Sequence, residues 1–377
     1  MTVVASHGAL VALVRERGGL SRAQLLEETG MSRGTLVTRL DALTRNGLVY
    51  EGESLGATGG RRARRIRFDD RGRVVLTVDI GQTHVRVSVT DLAGTELRFA
   101  ELRCRLTDGP DAVLGPALDA ADALLAGGGP GERPAGVGIG IPAAVDPATG
   151  MVLPVTPLPG WAPGVVVATV GRRWGLPVVV ENDARAAAVG ESRSDDETLV
   201  AVKVATGIGC GIVVGGDVMR GAAGIAGDIG HVRVGGPVPE PVCRCGRHGC
   251  LAAYSSGRAL LGRLGGDGYR TLDDLVAGAG RPRVGAELAA AADVLGAALA
   301  TTVTTVNPHR VVLGGVLGEL PAVVDGVRTR ILDAVSERAR PVVEASTLGP
   351  RAIPLGLARL VVRTVFAPEA VDRLVAG

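Results

Sequence analysis

Residues 230–250 read "GHVRVGGPVPEPVCRCGRHGC" and hold three of the chain's five cysteines and two of its five histidines. The spacing is Cys243-x-Cys245-x4-Cys250, with His231 twelve residues ahead of the first cysteine. A disulfide scaffold spreads its cysteines along the chain and pairs them. A zinc site instead takes three or four soft or borderline ligands from short loops, with glycines that let the backbone curl around the ion. Gly246 and Gly249 stand where that curl is needed. The pattern predicts a structural zinc site, because four protein ligands leave no open position for water. His248 competes with His231 for the histidine position.

Outward from this cluster, 377 residues exceed one ordinary core and predict two or three domains. Residues 1–73 carry thirteen arginines against eight acidic residues, while the rest of the chain is slightly acidic. A basic head on such a body suggests a nucleic-acid module joined to something else. Five cysteines, an odd number, argue against a secreted disulfide scaffold. No basic-then-apolar leader pattern opens the chain. The most apolar stretch, residues 288–306, contains Asp293 and is mostly Ala and Thr, so it reads as a buried core helix. The expectation is a cytoplasmic protein without a membrane span. Lys203 is the only lysine and is read as part of a compositional bias toward arginine.

The head carries its own signals. Leu10, Val11, Leu13 and Val14 suit an amphipathic helix capped by Ser6. In "LSRAQLLEETGMSRGTLVTRLDALTRNGLV" (20–49), Ser21 and Gln24 fit a capping box, Gly30 closes that helix and Ser32 caps the next. Leu36, Leu40 and Leu43 form one buried stripe, and Arg33, Thr35, Thr38 and Arg39 line the opposite face. A short helix, a glycine turn and a second helix with polar residues near its start form a helix-turn-helix, whose second helix enters the DNA major groove. "LVYEGESLGATGGRRARRIRF" (48–68) then reads as two strands and a glycine-rich loop, a β-wing. Its five arginines, beginning with Arg61 and Arg62, would meet phosphates or a narrow minor groove. Together with Ser32, Arg33, Thr35, Thr38 and Arg39 they are the expected contacts to double-stranded DNA.

The body repeats one element. "VVLTVDIGQTHVRVSVTDLAG" (74–94) reads as strand, turn, strand, with Asp79 at the strand end and Gly81 and Thr83 in a turn whose N–H groups can face a phosphate. "LVAVKVATGIGCGIVVGGDV" (199–218) repeats it, with Thr206, Gly207 and Gly209 assigned to the turn. Two such hairpins suggest two similar lobes clasping one nucleotide. The order is strand-turn-strand and not the strand-then-helix of a Walker A loop. "VVLGGVLG" (311–318) supplies a third glycine turn, at Gly314 and Gly315, read as a seat for an adenine ring. In "VVVENDARAAAVGE" (178–191), Asn182 and Asp183 end a strand before an alanine-rich helix. A carboxylate there can be the general base for a hydroxyl attacking a phosphoryl group, and the same pair can equally be a helix cap.

Together, the DIGQT turn, GIGIPAAVD, ENDA, "TGIGCGIVVGGDVMRGAAGIAGDIGH", CRCGRHGC and VVLGG resemble the ROK family of repressors, open reading frames and sugar kinases. The head ending in TGGRR resembles the winged-helix head of its repressor branch. The resemblance implies an α/β chain: an N-terminal winged helix-turn-helix followed by a two-lobed actin-like ATPase (ribonuclease H-like) body of sugar-kinase type. It implies zinc on His231, Cys243, Cys245 and Cys250. It also implies a sugar or sugar-derivative effector contacted by Asn182, Asp183, Asp228 and His231. If the chain is a kinase, Asp183 is its base with ATP and Mg. The expected division is 1–73 for the head, 74–190 for the first lobe joined by helix 357–377, and 191–356 for the second. The expected assembly is a homodimer or dimer of dimers.

Four positions depart from the family pattern. Asp228 stands where Glu is usual, Ala252 replaces a glutamate, Gln82 replaces the middle glycine of the first phosphate turn, and Cys210 replaces a glycine after the second. A pocket that binds hydroxyls loses discrimination when a polar partner is missing. The expectation is therefore a sugar-responsive transcriptional repressor with an altered pocket, with a sugar kinase or a ligand-independent DNA binder as alternatives.

Overall fold

The computed structural model describes residues 6–52, 64–153, 160–235 and 240–376. The wing loop, with the expected contacts Arg61 and Arg62, lies outside them.

The head is built from helices α1 (His7–Glu16), α2 (Arg22–Thr29) and α3 (Arg33–Arg45) and strands β1 (Leu20–Ser21), β2 (Val49–Gly52) and β3 (Arg65–Phe68). The Ser6 hydroxyl caps α1, Ser21 and Gln24 form the capping box of α2, and Ser32 caps α3. Gly30 ends α2 in the left-handed region at φ 66°, which fixes the tight turn into α3. Leu36, Leu40 and Leu43 are buried, whereas Arg33, Thr35 and Thr38 on the other face are exposed. The sheet order is β1-β3-β2, all antiparallel.

The first body sheet holds β4 (Arg73–Ile80), β5 (His84–Asp91), β6 (Glu96–Arg103), β7 (Arg133–Ile141) and β8 (Val178–Asn182), in the order β6-β5-β4-β7-β8. It is interleaved in the chain with α4 (Pro110–Ala126), α5 (Val165–Trp174) and α6 (Asp183–Glu191). The second sheet holds β9 (Leu199–Val204), β10 (Ile208–Val214), β11 (Asp217–Val218), β12 (Arg310–Gly314) and β13 (Val342–Ala345), in the order β11-β10-β9-β12-β13. Its helices are α7 (Leu251–Ser255), α8 (Gly257–Leu264), α9 (Leu272–Ala277), α10 (Pro282–Val306) and α11 (Pro321–Ala334).

The two sheets share one topology. In each, three strands run antiparallel and two follow in parallel on the far side of the first. In each, the opening hairpin turns through three residues, Gly81–Thr83 and Ala205–Gly207. The duplication read from the two hairpins is thus a duplication of whole sheets. Helix α10 is long and apolar enough to cross a membrane by length and composition. Its Val284, Leu288, Leu295, Leu299 and Val303 are instead buried in the core of the second sheet.

Helices α12 (Ala352–Val365) and α13 (Pro368–Ala376) close the chain. Helix α12 begins before residue 357 and lies against α6, β4 and β7. Its approach to α6 leaves no room for side chains. A Cβ on Gly356 would land on the Ala186 carbonyl, and one on Gly190 would land on the Ala352 carbonyl. Val361, Val362, Phe366 and Val371 continue from α12 and α13 into the core of the head, where they pack with Leu10, Leu40 and Ile66. Phe68 meets Phe366 edge-on at 4.9 Å, and the Arg15 guanidinium lies over both rings. The Gly8 N–H donates to Asp372 at 2.8 Å.

Gly356→Ala is expected to destabilise the fold by about 1–3 kcal/mol, because the new methyl must push two helices apart. Gly262→Ala, in α8 with open space around it, is the control and should be neutral or slightly stabilising. Denaturant unfolding of both variants measures the difference.

Candidate functional site

The cysteine cluster forms as its spacing predicts. One ligand atom each from His231, Cys243, Cys245 and Cys250 lies within 4.8 Å of the others. Cys243 Sγ is 3.5 Å from His231 Nδ1, and Cys245 Sγ is 3.7 Å from Cys250 Sγ. A tetrahedron with metal–sulfur arms of about 2.3 Å has sulfur–sulfur edges of about 3.8 Å and slightly shorter sulfur–nitrogen edges. The donor set fits zinc on chemistry and on size. Gly246 and Gly249 adopt φ of 85° and 72°, supplying the curl. Burial alone would raise the Cys245 thiol, but hydrogen bonds from Arg247, Cys243 and Cys250 bring it down to about 6, while Cys250 is pushed up to about 12 by burial and its neighbouring thiols. Thiols this close cannot all ionise without a cation between them, and a divalent metal removes that conflict. His248 is exposed and faces the Glu240 carbonyl instead.

The junction of β8 and α6 places the two acidic-motif residues. Asn182 caps α6, its side-chain oxygen accepting the N–H groups of Ala184 and Arg185 at 3.1 Å, while its amide donates to the Ala143 carbonyl at 3.1 Å. The helix-cap reading holds for Asn182, whose polar atoms serve the chain itself. Glu181, buried just before it, accepts Arg185 Nε and Arg220 Nε, each at 2.7 Å. Arg185 also donates to the Gly224 carbonyl, and its Nη2 has no hydrogen-bond partner. Two buried charges are tolerated because each is paired. Asp228 sits before the short turn Ile229–His231, and burial raises its pKa against the pull of His231, Arg247 and Arg185.

Asp183, the first residue of α6, is buried, and its Oδ2 accepts Lys203 Nζ at 2.7 Å. Lys203 is the penultimate residue of β9 and Asp79 the penultimate residue of β4, so the duplicated sheets bring topologically equivalent positions to one cleft with opposite charge. Burial alone would lower the Lys203 pKa, but Asp183 and Asp79 outweigh it and lift it above the ordinary lysine value. Burial dominates at Asp79 and raises its pKa, and its Oδ1 has no hydrogen-bond partner. Nearby, Gln82 Oε1 accepts Arg258 Nη2 at 2.9 Å and Arg244 Nη1 at 3.4 Å, so its side chain links the first hairpin turn to the second lobe. Its Nε2 lies 3.5 Å from where a Gly207 Cβ would stand.

The structure therefore brings Asp79 and Asp183 together around Lys203, and the first hairpin turn, Gly81–Thr83, lies beside Gly207 of the second through Gln82. Gly209 is a correction. It lies in strand β10, paired with Lys203, and not in the turn. The ladder resumes at Ile208 opposite Val204, and a Cβ at Gly209 would stand 2.8 Å from Ala184 of α6. Cys210 likewise pairs with Val202 in the sheet, where burial pushes its thiol up to about 12. Gly314 ends β12, and Gly315, which follows it at φ 79°, passes against the Val204 carbonyl. Sequence reasoning missed Lys203 as a site residue, although a sole lysine placed opposite Asp79 in the duplicated hairpin was its signal.

Two sheets of one topology, each opened by a hairpin and joined through paired helices, define a two-lobed α/β body of the actin-like, sugar-kinase type. The ROK family model matches residues 75–364, and the chain belongs to that family. It is 26% identical to the xylose repressor of Bacillus subtilis (strain 168), over 94% of each chain. Among solved structures, it matches a ROK family transcriptional regulator described as a homolog of the E. coli MLC protein. That match has a TM-score of 0.79 and 22% identity, covering 99% of both chains. A ROK family glucokinase from Streptomyces griseus, in complex with glucose and AMPPNP, matches with a TM-score of 0.63 and 31% identity, over 76% of this chain and 98% of that one.

His231→Ala and Cys250→Ser are expected to lose bound zinc, whereas His248→Ala and Cys104→Ser keep about one zinc per chain. Metal analysis of the purified variants, with thermal unfolding in parallel, checks both the set and its contribution to stability.

Proposed function

We propose that the chain is a DNA-binding transcriptional repressor of sugar uptake or metabolism genes, controlled by a sugar or sugar derivative bound between the lobes. The observation that carries this reading is the face of α3. Arg33, Thr35 and Thr38 stand exposed near the start of a helix whose opposite side is locked into the head's core. Residues at such positions reach base edges when the helix lies in the major groove. The likeness to the xylose repressor, which extends through the head, supports the same reading. The basic wing with Arg61 and Arg62 would add phosphate contacts.

The proposed division is a winged head at 1–73, a first lobe at 74–190 rejoined by the chain's end, and a second lobe at 191–356 carrying structural zinc on His231, Cys243, Cys245 and Cys250. A homodimer, or a dimer of dimers, would read a palindromic site. Asn182, Asp183, Asp228 and His231 remain the proposed effector contacts, Asn182 also capping α6. An effector acts by binding one lobe arrangement better than another. Helix α6 starts at the cleft, α12 lies against α6, and Phe366 at the end of α12 touches the head, so a lobe movement has a packed path to the DNA-reading helix.

Sequencing of genomic fragments selected on the purified chain, with and without pooled sugars, tests this. A palindrome enriched beside sugar-transport or sugar-metabolism genes, and lost with one sugar, is the expected result. Arg33→Ala should weaken that binding by about 1–3 kcal/mol. Absence of enrichment under both conditions would overturn the reading.

A further inference from the structure

The segment Arg220–His231 leaves the second sheet after β11, crosses to the first sheet and returns to the second at the cysteine cluster. Three contacts hold the crossing. Arg220 Nε donates to Glu181 Oε2 at 2.7 Å. The Gly224 carbonyl accepts Arg185 Nη1 at 2.8 Å. Gly224 itself, at φ 67°, lies so close to the loop after β7 that a Cβ would stand 2.2 Å from the Val145 carbonyl. On the return, a Cβ at Gly227 would stand 2.1 Å from the Cys210 carbonyl of β10. The segment then ends in the turn Ile229–His231.

Arg185 is the joint of this crossing. Its Nε donates to Glu181 Oε1 at 2.7 Å, where the Asn182 N–H also donates at 2.8 Å. Glu181 therefore holds one arginine from α6 on one oxygen and one from the crossing segment on the other. Both Glu181 and Arg185 are buried, so neither charge can lose its partner without a large cost. We propose that Arg185 is a positioning residue that couples metal binding at His231 to the first sheet. It fixes the crossing segment on α6, and the segment fixes where His231 stands. Asp228 lies on the same segment and shares the constraint. Coupling free energies are reciprocal. Breaking the Arg185 contacts therefore weakens metal binding, and removing metal loosens the segment at its far end. The coupling rests on the zinc assignment above, whereas the contacts of Arg185 do not.

Arg185→Met combined with Glu181→Gln removes the buried ion pair without leaving a lone charge, and the new amide oxygen still accepts Arg220. Competition with a chromophoric chelator should show zinc held about tenfold less tightly, or weaker still, in the folded double variant. Cobalt(II) in place of zinc should show shifted ligand-field bands there, a signature that an ion pair lost elsewhere does not produce. The control is Arg310→Met with Glu197→Gln, which removes the buried pair at the start of β12 and should keep both affinity and bands. The second arm needs only the wild-type chain. Hydrogen exchange in residues 220–226, the last of which precedes His231 by five positions, should quicken about tenfold or more when metal is stripped. Equal zinc affinity in the wild-type chain and the folded double variant would overturn the proposal. An equal loss in the control, or exchange in 220–226 indifferent to metal, would overturn it as well. A wild-type chain that takes up neither zinc nor cobalt would refute the zinc assignment itself, and the coupling with it.

Discussion

The crossing of α6 and α12 is the contact on which the arrangement depends. Helix α6 touches the second sheet through Ala184, Ala188 and Val189, and α12 covers it from the side of the first sheet. Alanines and glycines at the crossing bring the two backbones together, so the separation of the lobes is set by main-chain atoms and not by adjustable side chains. The same helix begins at the cleft, with Asn182 as its cap and the Glu181–Arg185 pair bracing its first turn. Packing and chemistry therefore share one element. A shift of α6 changes the cleft geometry and the position of α12 in the same movement.

Duplication supplied this chain with two equivalent hairpins, and their equivalence is topological, not chemical. The penultimate strand residue is Asp79 in one and Lys203 in the other, while the three-residue turns read Gly-Gln-Thr and Ala-Thr-Gly. Opposite charge at matched positions leaves Lys203 with its pKa lifted by both Asp183 and Asp79. Asp79 is buried with an unsatisfied oxygen near a second carboxylate, and burial raises its pKa. Lys203 is the cation that faces both carboxylates.

Much of the fold was legible because it rests on local rules. Ser6, the Ser21–Gln24 box, Gly30 and Ser32 set helix ends within a few residues of sequence, and the leucine stripe of α3 follows from helical period alone. The cluster of His231, Cys243, Cys245 and Cys250 was legible because its four residues lie within twenty positions of one another. What escaped depends on long-range register. Gly209 looked like a turn residue because glycine is a turn former, yet the ladder opposite Lys203 and the approach of Ala184 decide its place. Gln82 read as an intruder in a phosphate turn, but its partners Arg244 and Arg258 lie over 160 positions away. Lys203 was read as composition, because nothing nearby in sequence indicates that Asp183 would be its neighbour.

Helix α13 packs on α1, Asp372 holds the backbone of Gly8, and the Phe68–Phe366 pair sits beneath Arg15. The head is therefore not a bead on a string. It shares its hydrophobic interior with the final helices, and both would be expected to melt in one cooperative step. Chimeras that borrow a DNA-reading head from one relative and an effector-binding body from another would inherit half of this interior from each parent. For such an exchange to preserve communication, residues 352–376 belong with the head as much as with the body.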